Sequence, residues 1–198
     1  TWSGCFSGVY SYHLEEREYT HYPNDGSCGL HGRVYSMLVA SDHTLWVGTG
    51  NGLYRLVKGE GRFVAYTVED GLNNDFIYAI EEDNRGQIWV STNMGISRMN
   101  PENGAFRNFS TDDGLLSMEF NLNASDFSSR EVMYFGGIAG MNYFVPDSVR
   151  ISDEQPAVAI TGIKYFNRDK GDHQRYLNGQ QITIGDDEAV HLRFSSLD

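Results

Sequence analysis

Seven polar residues in this chain have the donor and acceptor types that read hydroxyl and carboxylate groups: His31, Arg33, Asn51, Asn74, Asp75, Asn93 and Glu119. An amide donates and accepts together, a carboxylate takes hydroxyl donors, and a guanidinium grips a carboxylate with two parallel bonds. Such a set suits recognition of sugars. Asp75 and Glu119 could also be imagined as the paired carboxylates of a glycoside-cleaving centre, although spacing in sequence does not fix the separation that chemistry requires. His13, His21, His31 and His43 show no pairing with cysteine or acidic residues at metal-ligand spacing, so no metal site is expected, and no cofactor is expected either. The run Gly-Thr-Gly-Asn-Gly at 48–52 has no following Lys-Ser/Thr and leads into a strand, so it reads as turn geometry and not as a phosphate loop.

What must position these residues is a tryptophan-centred repeat. Trp2, Trp46, Trp89 and Tyr134 open four related segments, each reaching a glycine six residues on, at steps of 44, 43 and 45 residues. A period near 40–45 residues is that of a four-stranded propeller blade. The expected fold class is therefore all-β: a partial β-propeller of about three to four blades, followed by the first strands of an Ig-like β-sandwich. Residues 1–24 form a partial copy that lacks its first strand, blades follow at 25–67, 68–110 and 111–145, 146–156 is a proline-bracketed linker, and 157–198 is the truncated sandwich. The third of those full blades is expected to be complete, from Leu115 to Phe144.

Regularity decides between packing and binding. Trp46 and Trp89 offer ring faces to a sugar, but a ligand contact has no reason to recur in every unit, so they are expected to pack between blades. The irregular polar residues sit in links between outer and next inner strands, around His31, residues 73–75 and 117–119, and between second and third strands, at Asn51 and Asn93. In a propeller those two kinds of link emerge on one face. An arc short of a ring would leave strand edges unpaired, so the chain is expected to come from a longer protein or to have a second copy covering its edges.

Composition narrows the partners. With 27 Asp and Glu against 15 Lys and Arg, the formal charge is −12, which argues against a nucleic-acid backbone as the partner. No apolar run approaches the roughly 18 residues of a membrane span. Cys5 and Cys28 are too few for a disulfide scaffold, and two idle thiols or one bridge remain open.

The segments Leu-Trp-Val-Gly-Thr-Gly-Asn-Gly-Leu-Tyr-Arg-Leu (45–56) and Ile-Trp-Val-Ser-Thr-Asn-Met-Gly-Ile-Ser-Arg-Met (88–99), with the spacer Glu-Asp-Gly-Leu-Asn-Asn-Asp-Phe-Ile-Tyr-Ala-Ile (69–80), resemble the repeats of the periplasmic sensor of Bacteroides-type hybrid two-component systems. Glu119-Phe-Asn121, Met133-Tyr-Phe-Gly-Gly137, Gly140-Met-Asn-Tyr-Phe144 and Pro146 resemble the closing propeller unit of that family. Pro156-Ala-Val-Ala-Ile160, Ile163 and Leu192-Arg-Phe-Ser-Ser-Leu-Asp198 resemble the start of its Y_Y_Y domain. The sequence departs from the pattern at Cys5, where other copies carry Thr49 and Thr92, and at Tyr134, where they carry tryptophan. The resemblance implies a periplasmic, ligand-sensing and signal-transmitting fragment, often dimeric, that detects oligosaccharides, with the membrane reached only through a downstream segment and with no catalysis in this stretch. A polysaccharide lyase or hydrolase and a protein-binding propeller are the alternatives.

Overall fold

The computed structural model describes residues 1–149, 158–167, 171–175 and 188–196. The chain divides into two compact units, Thr1–Val149 and Arg150–Asp198. The first unit holds four antiparallel sheets. Strands β1 (Trp2–Cys5), β2 (Gly8–His13) and β3 (Glu18–Pro23) form the first, in the order β1-β2-β3. The second is β4 (Val34–Val39), β5 (Leu45–Thr49), β6 (Gly52–Leu56) and β7 (Phe63–Tyr66), and the third is β8 (Ile77–Glu82), β9 (Ile88–Thr92), β10 (Gly95–Met99) and β11 (Phe106–Phe109), each meandering in chain order. The last has β12 (Phe120–Phe127), β13 (Met133–Gly137) and β14 (Gly140–Phe144).

Burial shows how the sheets stack. All five residues of β5 and all five of β9 are buried, which an alternating strand with one wet face cannot show. The second and third sheets are each covered on both faces by their neighbours. Trp46 is 1% exposed and packs with Leu72, Ile77, Ile88 and Val90 of the following repeat, and Trp89, also 1% exposed, packs with Phe120, Met133 and Phe135. Each indole is faced across its hairpin by an arginine: Arg55 pairs with Trp46 and Arg98 with Trp89, the guanidinium carbons 6.0 and 5.5 Å from the ring. Burial holds the Arg98 guanidinium below its ordinary pKa.

Tyr134 does not follow that pattern. It pairs with Tyr143, which is 70% exposed, on a face that no further sheet of the described residues covers. Among the described residues, the packing role of Trp46 and Trp89 is therefore not repeated at the fourth copy. The last sheet also has three strands among the described residues and not four. Beyond Phe144 the chain turns at Pro146, which has no N–H to offer a ladder, into a 3-10 turn over Pro146–Ser148. Asp147 there forms an ion pair with Arg85 at 2.7 Å, and Val149 packs against the core of the last two sheets, so the start of the expected linker is tied to the first unit.

The sheets are joined by two nearly identical connectors. Thr67 and Ser110 each cap a 3-10 turn, with Asp70 and Asp113 returning the bond to the cap amide at 2.9 Å. Each turn closes on a left-handed glycine, Gly71 at φ 110° and Gly114 at φ 100°. The capping box explains why an Asp-Gly-Leu signal precedes β8 and β12. Cys5 and Cys28 are both free thiols. Cys28 Sγ donates to the Pro23 carbonyl at 3.1 Å.

In the second unit β15 (Val158–Asn167) lies between β16 (Gly171–Arg175) and β17 (Glu188–Ser196), all antiparallel. The ladder between β15 and β17 slips between Ile160 and Gly162, where the sequence suggests a kink. Strand β16 falls in a stretch whose sequence reads as a polar loop, and residues 181–184, whose alternating Gln-Ile-Thr-Ile pattern reads as a strand, lie outside the described residues.

Candidate ligand-binding face

The inner strands β4, β8 and β12 lie at corresponding edges of their sheets, with β8 in contact with both of the others. Each begins in regular register: Val34 opposite Thr49, Ile77 opposite Thr92, and Phe120 opposite Gly137. Each then slips. The irregularity falls between Val34 and Ser36, between Ile77 and Ala79, and between Phe120 and Ser125, so Tyr35 and Tyr78 are the unpaired residues of two equivalent bulges. A bulge re-aims the side chain it inserts, and here it turns two tyrosines out of the alternation that would have spent them on packing.

The result is a continuous strip across three sheets. The Arg33 guanidinium carbon lies 5.2 Å from the Phe6 ring centre and 5.4 Å from that of Tyr35. Tyr35 meets Phe76 at 4.6 Å and 34°, and Phe76 meets Tyr78 at 4.9 Å and 45°, tilted contacts in the range where aromatic pairs attract. Tyr78 Oη donates to Asn93 Oδ1 at 2.5 Å. Gly50 lies against the strip: a Cβ there would sit 3.6 Å from both the Tyr35 and Phe76 rings. Phe6 is 75% exposed at one end, and Arg33 and Asn93 are exposed as well.

The loops that carry the strip are bonded to one another. The amide of Gly52 donates to the Asp75 carbonyl and that of Gly95 to the Met118 carbonyl, both at 2.8 Å, so each hairpin turn is tied to the connector that enters the next sheet. Asn24 and Asn73 add side-chain amide bonds to the carbonyls of Phe6 at 3.0 Å and Met94 at 2.7 Å.

Of the residues singled out from the sequence, Arg33 and Asn93 lie in the strip. His31 packs on Gly26, where a Cβ would come within 2.2 Å of its ring, and the Asn51 side chain lies against Gly32 in the same way. Asn74 and Asp75 are consumed locally: Asn74 Oδ1 accepts from Phe76 N at 2.8 Å, and Asp75 Oδ1 from Val68 N at 2.8 Å. Glu119 is exposed, and among the described residues its side chain makes no hydrogen bond. Phe6, Tyr35, Phe76 and Tyr78 escaped the sequence reading. The signal available was positional: Tyr35 and Tyr78 follow Arg33 and Phe76 by two residues in equivalent units, whereas the last unit has Asn121 after Glu119.

At the opposite end of the second and third sheets a cleft of about 420 Å³ is lined by Arg55, Glu82, Gln87, Asn100 and Glu102. Its carboxylates are partly engaged, since Glu82 accepts from both the amide and the hydroxyl of Ser41, at 2.6 and 2.8 Å. Next to it on β8, Glu81 accepts from Ser125 Oγ at 2.6 Å. Burial pushes the Glu81 carboxyl above its ordinary range, the Ser125 bond opposes that, and the nearby Asp126 charge adds to it.

Two stretches, residues 29–51 and 71–94, match the two-component regulator propeller family. No curated protein matches the chain. Among solved structures, the extracellular domain of the hybrid two-component system BT3049 of B. thetaiotaomicron is 26% identical, with a TM-score of 0.70 over 93% of this chain and 25% of that one. The extracellular domain of the hybrid two-component system BT4673 of the same organism is 19% identical, with a TM-score of 0.60 over 90% of this chain and 28% of that one. The chain thus spans about a quarter of the length of these relatives. A catalytically inactive virginiamycin B lyase of Staphylococcus aureus, 15% identical with a TM-score of 0.53 over 87% of this chain and 64% of its own, shares the fold alone. The two matched stretches fall in the second and third sheets, and the fold of the chain is similar to part of the extracellular domain of a hybrid two-component system.

Proposed function

We propose that this chain is an extracytoplasmic, periplasmic ligand-sensing and signal-transmitting fragment of a hybrid two-component sensor, and that the ligand is an oligosaccharide. The observation that carries the reading is the strip Phe6-Arg33-Tyr35-Phe76-Tyr78-Asn93. Ring faces suit the apolar faces of pyranoses, while the exposed guanidinium and amide supply directional bonds at its ends. Of the seven candidate polar residues, Arg33 and Asn93 belong to it, and only Asn74 and Asp75 have side chains spent on turn formation.

Ligand binding shifts the sensor between two states only to the extent that the ligand prefers one of them. A strip spanning three sheets supplies that preference, because a ligand lying along it favours the sheet arrangement in which the rings are aligned. The signal passes through the second unit toward a membrane segment and a kinase outside this stretch, in a homodimer.

Calorimetric titration of the chain with neutral and acidic oligosaccharides tests the reading. Phe76→Ala and Tyr78→Ala should each weaken binding by about tenfold, equivalent to ~1.4 kcal/mol. Equal binding by wild type and both variants would move the site elsewhere. Cleavage of the sugars that disappears in Glu119→Gln would replace the sensor reading with an enzymatic one.

A further inference from the structure

We propose that the ligand of this face carries a carboxylate, and that Arg33 binds it. The inference rests on the oligosaccharide reading above and narrows it to uronate-bearing sugars. Carboxylates outnumber cationic side chains in this chain by 27 to 15, so an arginine has many acidic groups with which to pair. The ion pairs among the described residues are Lys58 with Asp42, Arg62 with Glu60 and Arg85 with Asp147. Arg33 joins none of them, and its side chain donates no hydrogen bond within the described residues. It is held by rings instead, its guanidinium near both Phe6 and Tyr35.

That arrangement has a specific chemical consequence. Aromatic contact engages the faces of the guanidinium and leaves the N–H groups around its edge available, the geometry that grips a carboxylate with two bonds. Arg55 and Arg98 also ride on aromatic rings, but they sit between sheets and are part-buried, whereas Arg33 is exposed. The bulge at Tyr35 fixes one of the two rings, so the guanidinium is positioned before the ligand arrives.

The strip is also polar along its length. Arg33, Phe76 and Glu119 each immediately precede the first paired residue of their inner strands, so the same position reads cation, ring and anion across three successive sheets. An acidic ligand is repelled at the Glu119 side and drawn to the Arg33 side, which sets its direction on the face as well as its class.

The test uses calorimetry at neutral pH with oligogalacturonates and the same oligomers as methyl esters. The free acids should bind at least tenfold more tightly than the esters. Arg33→Gln should bring the two to within about twofold of each other by weakening acid binding far more than ester binding, and Arg33→Lys should recover part of the difference, since it restores charge without the planar fork. Retained circular dichroism checks that the variants fold. Measurable but equal binding of acid and ester, or a preference that survives Arg33→Gln, overturns this inference and leaves the oligosaccharide reading standing. Failure of both acids and esters to bind, together with failure of neutral oligosaccharides, overturns both.

Discussion

Asp83 is the residue whose removal should cost the first unit most per atom lost. It is 6% exposed at the turn between β8 and β9, and its carboxylate accepts three bonds: from Arg85 N at 2.9 Å, Gln87 N at 3.0 Å and Trp89 Nε1 at 2.8 Å. The two amides lie in a turn where water can replace the carboxylate, so each should lose about 0.5–1 kcal/mol. The indole N–H belongs to a side chain that is 1% exposed, and leaving it without a partner costs about 1–3 kcal/mol. Asp83→Ala should therefore destabilise by about 3 kcal/mol, which at 2–4 °C per kcal/mol is a fall of roughly 6–12 °C in Tm. Asp42 occupies the corresponding turn of the second sheet but accepts hydrogen bonds only from the amide and hydroxyl of Thr44, at 2.8 and 2.6 Å, beside an exposed ion pair with Lys58, and Asp42→Ala should cost about 1 kcal/mol. Urea denaturation followed by tryptophan fluorescence measures both. A double-mutant cycle with Trp89→Phe isolates the indole bond, because Asp83→Ala should cost distinctly less once the indole N–H is gone. If Asp83→Ala costs no more than Asp42→Ala, the buried indole bond is not the anchor argued here.

Other consequences are simpler to check. Ser91 is 1% exposed and its hydroxyl has no partner among the described residues, so Ser91→Ala should be neutral or stabilising by up to about 1 kcal/mol in the same denaturation assay. Gly95 has φ 97° and a Cβ there would lie 2.1 Å from the Phe109 carbonyl oxygen, whereas Gly59, at φ 76°, has nothing within 4 Å. Gly95→Ala should therefore lower Tm well beyond the loss from Gly59→Ala, which carries only the left-handed backbone penalty of about 1–2 kcal/mol. Glu81 has its folded pKa raised by burial, so the folded state binds more protons than the unfolded one between the unfolded and folded values. Stability then falls as pH rises through that window, and Glu81→Gln should flatten this part of the pH profile and raise Tm at neutral pH. A steeper profile in Glu81→Gln would reverse that account.

The propeller was legible because its signals are redundant. Trp46 and Trp89, the Gly-closed hairpins and the Asp-Gly-Leu connectors repeat together, and each names the same element. The end of the array was less legible: Tyr134 keeps the repeat's spacing, but its burial depends on a neighbouring sheet that no local pattern reports. The binding face was read only in part for two physical reasons. Asn74 and Asp75 have the chemistry of ligand groups and the habits of turn formers, and the connector used them as the latter. Tyr35 and Tyr78 look like ordinary strand residues until a slip of one residue in the ladder turns them outward, and a ladder slip leaves no residue type as its mark.

The neighbouring carboxylates of β8 have a mechanical meaning. Successive residues on a strand point to opposite sides, and here Glu82 reaches back to Ser41 of the second sheet while Glu81 reaches forward to Ser125 of the fourth. One short strand thus grips both flanking sheets at the same height. It behaves as the keystone of an arch: a displacement that opens the joint on one side loads the joint on the other, and the three sheets yield together or not at all.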